Sequence, residues 1–127
     1  MQSTTEPMRT IQIQQAWQLQ PGEQIGRHRI VAGLGEVSIQ VNGRSVYAPF
    51  DGQIETTVEN CLLFSSPDVP AYLFRLCGLR NPAIGTVVEG QTIGSADYLH
   101  FAALRRQPDG TWTMVEPART LLERLLQ

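Results

Sequence analysis

The sequence predicts an all-β domain, a barrel or sandwich of about eight to ten short strands with one helix at the C-terminus. Three observations carry that reading. Apolar and polar residues alternate with period two through several short runs, the pattern of half-buried strands. Glycine and proline account for 11 and 8 of the 127 residues and recur between those runs, where they favour turns over long helices. Only the stretch from Pro117 to Leu126 changes to helical spacing, with Leu121, Leu122, Leu125 and Leu126 on one face.

Taken in order, residues 1–8 read as a polar, flexible tail, and residues 9–127 as a single β domain. Arg9 to Leu19 alternates through Ile11, Ile13, Trp17 and Leu19 and is expected to be a strand. Pro21-Gly22 is a turn, and Arg29 to Ala32 is a short strand that breaks at Gly33-Leu34-Gly35. Val37 to Tyr47 reads as a hairpin, because Asn42-Gly43 tolerates the positive φ of a type I′ turn. Further strands are expected at Gln53 to Val58, Cys61 to Phe64, Ala71 to Leu76, Thr86 to Val88, Tyr98 to Arg105 and Thr111 to Val115. Pro117 suits the first turn of the closing helix. One hexapeptide form, x-Gly-x-x-Ile-Gly, occurs twice, at 21–26 and 89–94. Each glycine there allows a bend, and each isoleucine is expected to plug the core between bends.

Composition excludes several function classes. The chain has no lysine; all ten basic side chains are arginine. That removes Schiff-base chemistry, P-loop phosphate binding and lysine-attached prosthetic groups. A formal charge of −2 with scattered arginines gives no basic face for nucleic acid. No run approaches the length of a membrane span, and Met1 to Glu6 lacks the apolar core of a signal peptide, so a cytoplasmic protein is expected. Cys61 and Cys77 have no metal-ligand spacing and each adjoins apolar residues, so both are expected to be buried, reduced thiols. His28 lies between Arg27 and Arg29 and reads as a surface-turn residue. Tyr98 and His100 share a strand face and, with Asp97, form the best polar cluster in the chain.

Val46-Tyr47-Ala48-Pro49-Phe50-Asp51-Gly52-Gln53-Ile54, followed by Val88-Glu89-Gly90-Gln91-Thr92-Ile93-Gly94, resembles a pattern found in two groups with barrel-sandwich-like folds. One is the biotinyl and lipoyl carrier domains; the other is the lysostaphin-type zinc peptidases. Tyr98-Leu99-His100-Phe101, then Pro108-Asp109-Gly110, then Glu116-Pro117 and the leucines lean towards the peptidases. The resemblance implies a barrel-sandwich hybrid built on a duplicated motif. It also places the family's upstream His and Asp ligands near Leu34 and Ser38, its His-x-His at Tyr98-x-His100, and its mid-chain His-Leu at Arg75-Leu76. A hydrolytic zinc site needs three protein ligands and an open water position. Only His100 matches, so the resemblance implies a peptidase-like domain without catalytic residues, metal or cofactor. Its remnant cleft would contain Tyr98, His100, Asp97, Ser38 and Arg75. The carrier comparison places Arg44 where a carrier has its lysine, and a guanidinium cannot be acylated in its place.

The expected function is therefore a protein-interaction or scaffold module, with a protein partner or a second copy of the chain as ligand. The leucine face (Leu121, Leu122, Leu125 and Leu126) is expected either to cap the domain's own core or to form the interface. The alternatives are a carrier-like adaptor in a metabolic complex and a divergent zinc hydrolase using His28, His100 and a carboxylate.

Overall fold

The computed structural model describes residues 19–32, 36–57 and 59–127. The expected tail at 1–8, the expected strand up to residue 18, the Gly33-Leu34-Gly35 break and Val58 lie outside the described residues. Among the described residues, nine strands form one antiparallel sheet. They are β1 (Gln24–Ile25), β2 (His28–Ala32), β3 (Val37–Tyr47), β4 (Gly52–Thr56), β5 (Cys61–Ser65), β6 (Tyr72–Cys77), β7 (Gly85–Val87), β8 (Thr92–Arg106) and β9 (Trp112–Val115). One helix, α1 (Arg119–Leu126), follows. The all-β class with a short C-terminal helix is thus the observed one.

The strand order is β1-β2-β3-β8-β6-β5-β4-β7, with β9 added to β8 off this path. The sheet does not close into a barrel. Its end strands, of two and three residues, carry few ladder groups with which to seal a cylinder. The long strands β3 and β8 form the spine, and β8 pairs with β3, β6 and β9.

The expected hairpin at Asn42-Gly43 is corrected. β3 runs straight through it, and both residues have positive φ, 61° and 79°. The register passes from Gln40↔Tyr98 to Arg44↔Ala96, so β3 spends more residues than β8 over the same span. A dipeptide that tolerates left-handed φ can turn a chain back or bulge it. Here both flanks pair with β8, so it bulges. Arg44 therefore lies within a strand, not at a hairpin tip.

Other boundaries move less. β8 begins at Thr92, six residues before the expected start at Tyr98, so Gly94 is paired with Val46 instead of ending a turn. The helix starts at Arg119 with Ala118 as N-cap and no side-chain cap bond, which leaves Pro117 outside the first turn. In the Pro108-Asp109-Gly110 loop, Asp109 Oδ1 accepts from Thr111 Oγ1 at 2.6 Å and Thr111 N at 2.9 Å. These bonds hold the Asp109 carboxyl below its ordinary range.

One face of the sheet carries the core: Ile30, Val37, Ile39, Ile54, Phe64, Leu76, Leu99 and Phe101 are buried there. Ile25 and Ile93, the isoleucines of the two matched hexapeptides, are both buried as expected. Leu121, Leu122, Leu125 and Leu126 belong to the same core, packed through α1 against β1 and β3. All four are buried within the chain itself, so they offer no surface to a partner.

Candidate functional site

On the face away from the core, the register sets one row of side chains across four consecutive strands. Ser38 of β3 is paired with His100 of β8, His100 with Cys77 of β6, and Cys77 with Cys61 of β5. Directly paired residues in an antiparallel sheet share a face. Cys61 and Cys77 are joined by a disulfide and are partly exposed. The expectation of buried, reduced thiols is therefore corrected. The β5–β6 ladder, Phe64↔Phe74 to Cys61↔Cys77, brings the two sulfurs together. A signal existed in the sequence: the cysteines lie eight residues on either side of Val69, in the turn that joins their strands. Reading it required the hairpin register, which the apolar pattern does not state.

His100 Nδ1 lies 2.7 Å from Ser38 Oγ. The hydroxyl donates when Nδ1 is unprotonated, and Nδ1–H donates otherwise. Among the described residues Ser38 is the hydrogen-bond partner of this imidazole. A Ser-His pair supplies two members of a nucleophilic triad, and no described carboxylate bonds the ring to complete it. The other edge of the ring faces β6: a Cβ added at Gly78 would lie 3.8 Å from His100 Cδ2.

The remaining expected site residues are distributed around this row. Tyr98 is 48% exposed and pairs with Gln40, one step along the same face. Arg75, two residues from Cys77 on β6, holds Glu36 Oε2 through Nη2 at 3.1 Å. Its Nε is buried with no hydrogen-bond partner among the described residues. Asp97 is engaged elsewhere, by Arg80 through bonds of 3.0 and 3.3 Å. The structure thus joins Ser38 to His100 directly and gives Arg75 and Asp97 separate ion-pair partners.

His28 is not on a surface turn. It is 4% exposed on β2. Burial pushes its pKa below the ordinary 6.5, and the charges of Arg27 and Arg44 push the same way; backbone carbonyls of Gln40 and Leu126 act against them. Its alternation partner Ile30 also faces the core, so the strand pattern, not the flanking arginines, decided its position. Among the described residues, no three His, Cys, Asp or Glu side chains gather closely enough to hold a metal ion.

The core side of the sheet has a cleft of about 870 Å³ beside α1. Aromatic rings line it in a stack: Phe50 to Phe74 at 6.4 Å and Tyr72 to Phe74 at 6.1 Å between centroids. Phe74 is buried, whereas Phe50 and Tyr72 are half-buried. The Arg124 guanidinium lies 5.3 Å from the Phe50 centroid and donates to Pro49 O. Arg119 pairs with Glu23 at 3.4 Å and bonds Gln24 O. Arg105 also lines the cleft and has no ion-pair partner among the described residues. At the mouth, Glu116 Oε2 accepts from Leu19 N at 2.7 Å. Sequence reasoning missed this cleft, because its lining comes from segments far apart in the chain.

No protein-family model matches this chain, and no curated protein shows significant similarity to it. Among the described residues no helix is long and apolar enough to cross a membrane.

Proposed function

We propose that this chain is a non-catalytic binding domain, of the peptidase-like β type its motifs resemble, that docks a segment of a protein partner in the cleft beside α1. The cleft carries the reading. It offers half-buried aromatic faces at Phe50 and Tyr72 and a positive side formed by Arg105, Arg119 and Arg124. Stacked rings accept an apolar side chain, and guanidinium groups accept carboxylates in a fixed geometry. The occupant that fits both is an extended segment with an aromatic or leucine side chain beside acidic residues. Arg105 supplies the charge for that contact, since Arg119 and Arg124 already hold groups of this chain.

The cytoplasmic placement expected from the sequence requires a Cys61–Cys77 bond that opens and closes there, because static disulfides are rare in that compartment.

Titration of the isotope-labelled protein with a blocked Asp- and Phe-containing peptide, followed by amide NMR, tests the reading. Shifts are expected at Tyr72, Arg105 and Val115, with none from a Lys- and Phe-containing control. Arg105→Glu is expected to abolish them. Equal response to both peptides, or shifts confined to the opposite face of the sheet, would remove the proposal.

A further inference from the structure

The row Ser38–His100–Cys77–Cys61 joins a disulfide to an oriented imidazole, and the docking role makes no use of either. We propose that Cys61–Cys77 is an exchangeable disulfide whose substrate is a thiol, with His100 as the residue that receives the thiolate released from Cys77 and Ser38 as the residue that positions His100.

The geometry assigns the roles of the two sulfurs. His100 is the cross-strand neighbour of Cys77, and Cys61 lies one strand further away. The Nδ1 edge of the ring is held by Ser38 on the β3 side, and its Cδ2 edge faces Gly78 on the β6 side. With the Ser38 hydroxyl donating to Nδ1, the ring proton sits on Nε2, next to Cδ2 on the Gly78 side of the ring, and Cys77 is the cross-strand neighbour on that side. Gly78 is required for this close approach to β8: its φ is +95°, and a Cβ there would stand 2.5 Å from Tyr98 O. Both sulfurs belong to partly exposed residues, so an external thiolate can reach them.

A substrate thiolate attacks Sγ of Cys61. A new S–S bond forms between substrate and Cys61, and the Cys61–Cys77 bond breaks. Its electron pair leaves on Cys77 Sγ, which takes a hydrogen bond from His100 Nε2–H. A second substrate thiolate then attacks the substrate sulfur of the mixed disulfide and releases Cys61 as a thiolate. Both cysteines take up protons from solvent. The sum is two thiols oxidised to one disulfide while one protein disulfide is reduced to two thiols. A leaving thiolate stabilised by a neighbouring donor departs faster. Arg75 lies two residues from Cys77 on the same face, with an unpartnered, buried Nε–H that can donate a hydrogen bond to an incoming polar group.

The experiment uses the oxidised, folded protein with reduced glutathione at millimolar concentration and neutral pH. Opening is followed by alkylation of free thiols and mass measurement. The bond is expected to open without denaturant, and peptide mapping is expected to place the glutathione adduct on Cys61. His100→Asn is expected to slow opening about tenfold or more. His100→Phe is a second variant, and each is checked for native circular dichroism first. Ser38→Ala is expected to slow opening less, and Ser38→Thr to restore it. Repetition with a dithiol-bearing protein such as a thioredoxin distinguishes a small-thiol substrate from a protein one. A bond that opens only in denaturant, an adduct on Cys77, or equal rates in wild type and both folded His100 variants would overturn the proposal and leave the disulfide as a structural staple.

Discussion

His28 is buried on the second strand beside the backbone carbonyl of Leu126, in the last turn of the only described helix, and that carbonyl favours the charged ring against the larger effect of burial. The contact joins residues from near the two ends of the described chain. Its energetics depend on charge, because the ring is buried and its folded pKa lies below 6.5.

A group with a depressed folded pKa binds fewer protons folded than unfolded. Its stabilising contribution is present above the unfolded pKa, about 6.5, and is lost as pH falls through the lower folded value. Stability is therefore expected to fall from about pH 8 to about pH 5, with the decline beginning near the ordinary histidine value. Urea denaturation across that range checks it. His28→Gln should flatten the His-dependent part of the slope and cost about 1 kcal/mol at the alkaline end. An unchanged slope in the variant would contradict the assignment.

The leucine face of α1 is a core element, so truncating it should unfold the domain. Leu122 and Leu125 are both 0% exposed. Each change to Ala is expected to cost about 2–5 kcal/mol. Denaturation midpoints measure this, and size-exclusion chromatography of the folded fraction should show no change in association.

Gly52 is a packing requirement. A Cβ there would stand 2.1 Å from Ser65 O and 2.9 Å from Phe64 Cζ. Gly52→Ala is expected to destabilise by about 3 kcal/mol, because the partner strand must move. Gly22→Ala is the contrast: its φ is +96° but no atom lies within 4 Å, so strain alone should cost about 1–2 kcal/mol. Thermal melts of the two variants separate clash from strain.

The disulfide closes a loop between residues separated by 16 positions. Chain entropy assigns such a loop about 3 kcal/mol. The Cys61→Ala, Cys77→Ala double variant is expected to lose about that much in urea denaturation and to remain folded. Reduced wild type should match it.

Much of the strand pattern was legible before the structure. Cys61 to Phe64, Ala71 to Leu76 and Thr111 to Val115 fall within a residue or so of β5, β6 and β9. Local alternation suffices there, because each run is bounded by its own turn residues. The candidate site was legible in part. Tyr98 and His100 do share a face, and Ser38 does meet His100, although its place had come only from the peptidase resemblance. Asp97 does not bond this pair, because Arg80 claims its carboxylate.

Periodicity and turn chemistry are properties of neighbouring residues, so the amino-acid order alone settled the all-β class, the closing leucine helix and the burial of Ile25 and Ile93. Pairing is a property of distant residues. Whether Asn42-Gly43 turned or bulged depended on β8, more than fifty residues away. Whether Cys61 met Cys77, whether His28 was buried and where the aromatic cleft opened depended likewise on which strands lay side by side. Register converts sequence separation into contact, and a strand's own alternation fixes which face it buries without naming the distant residue it meets.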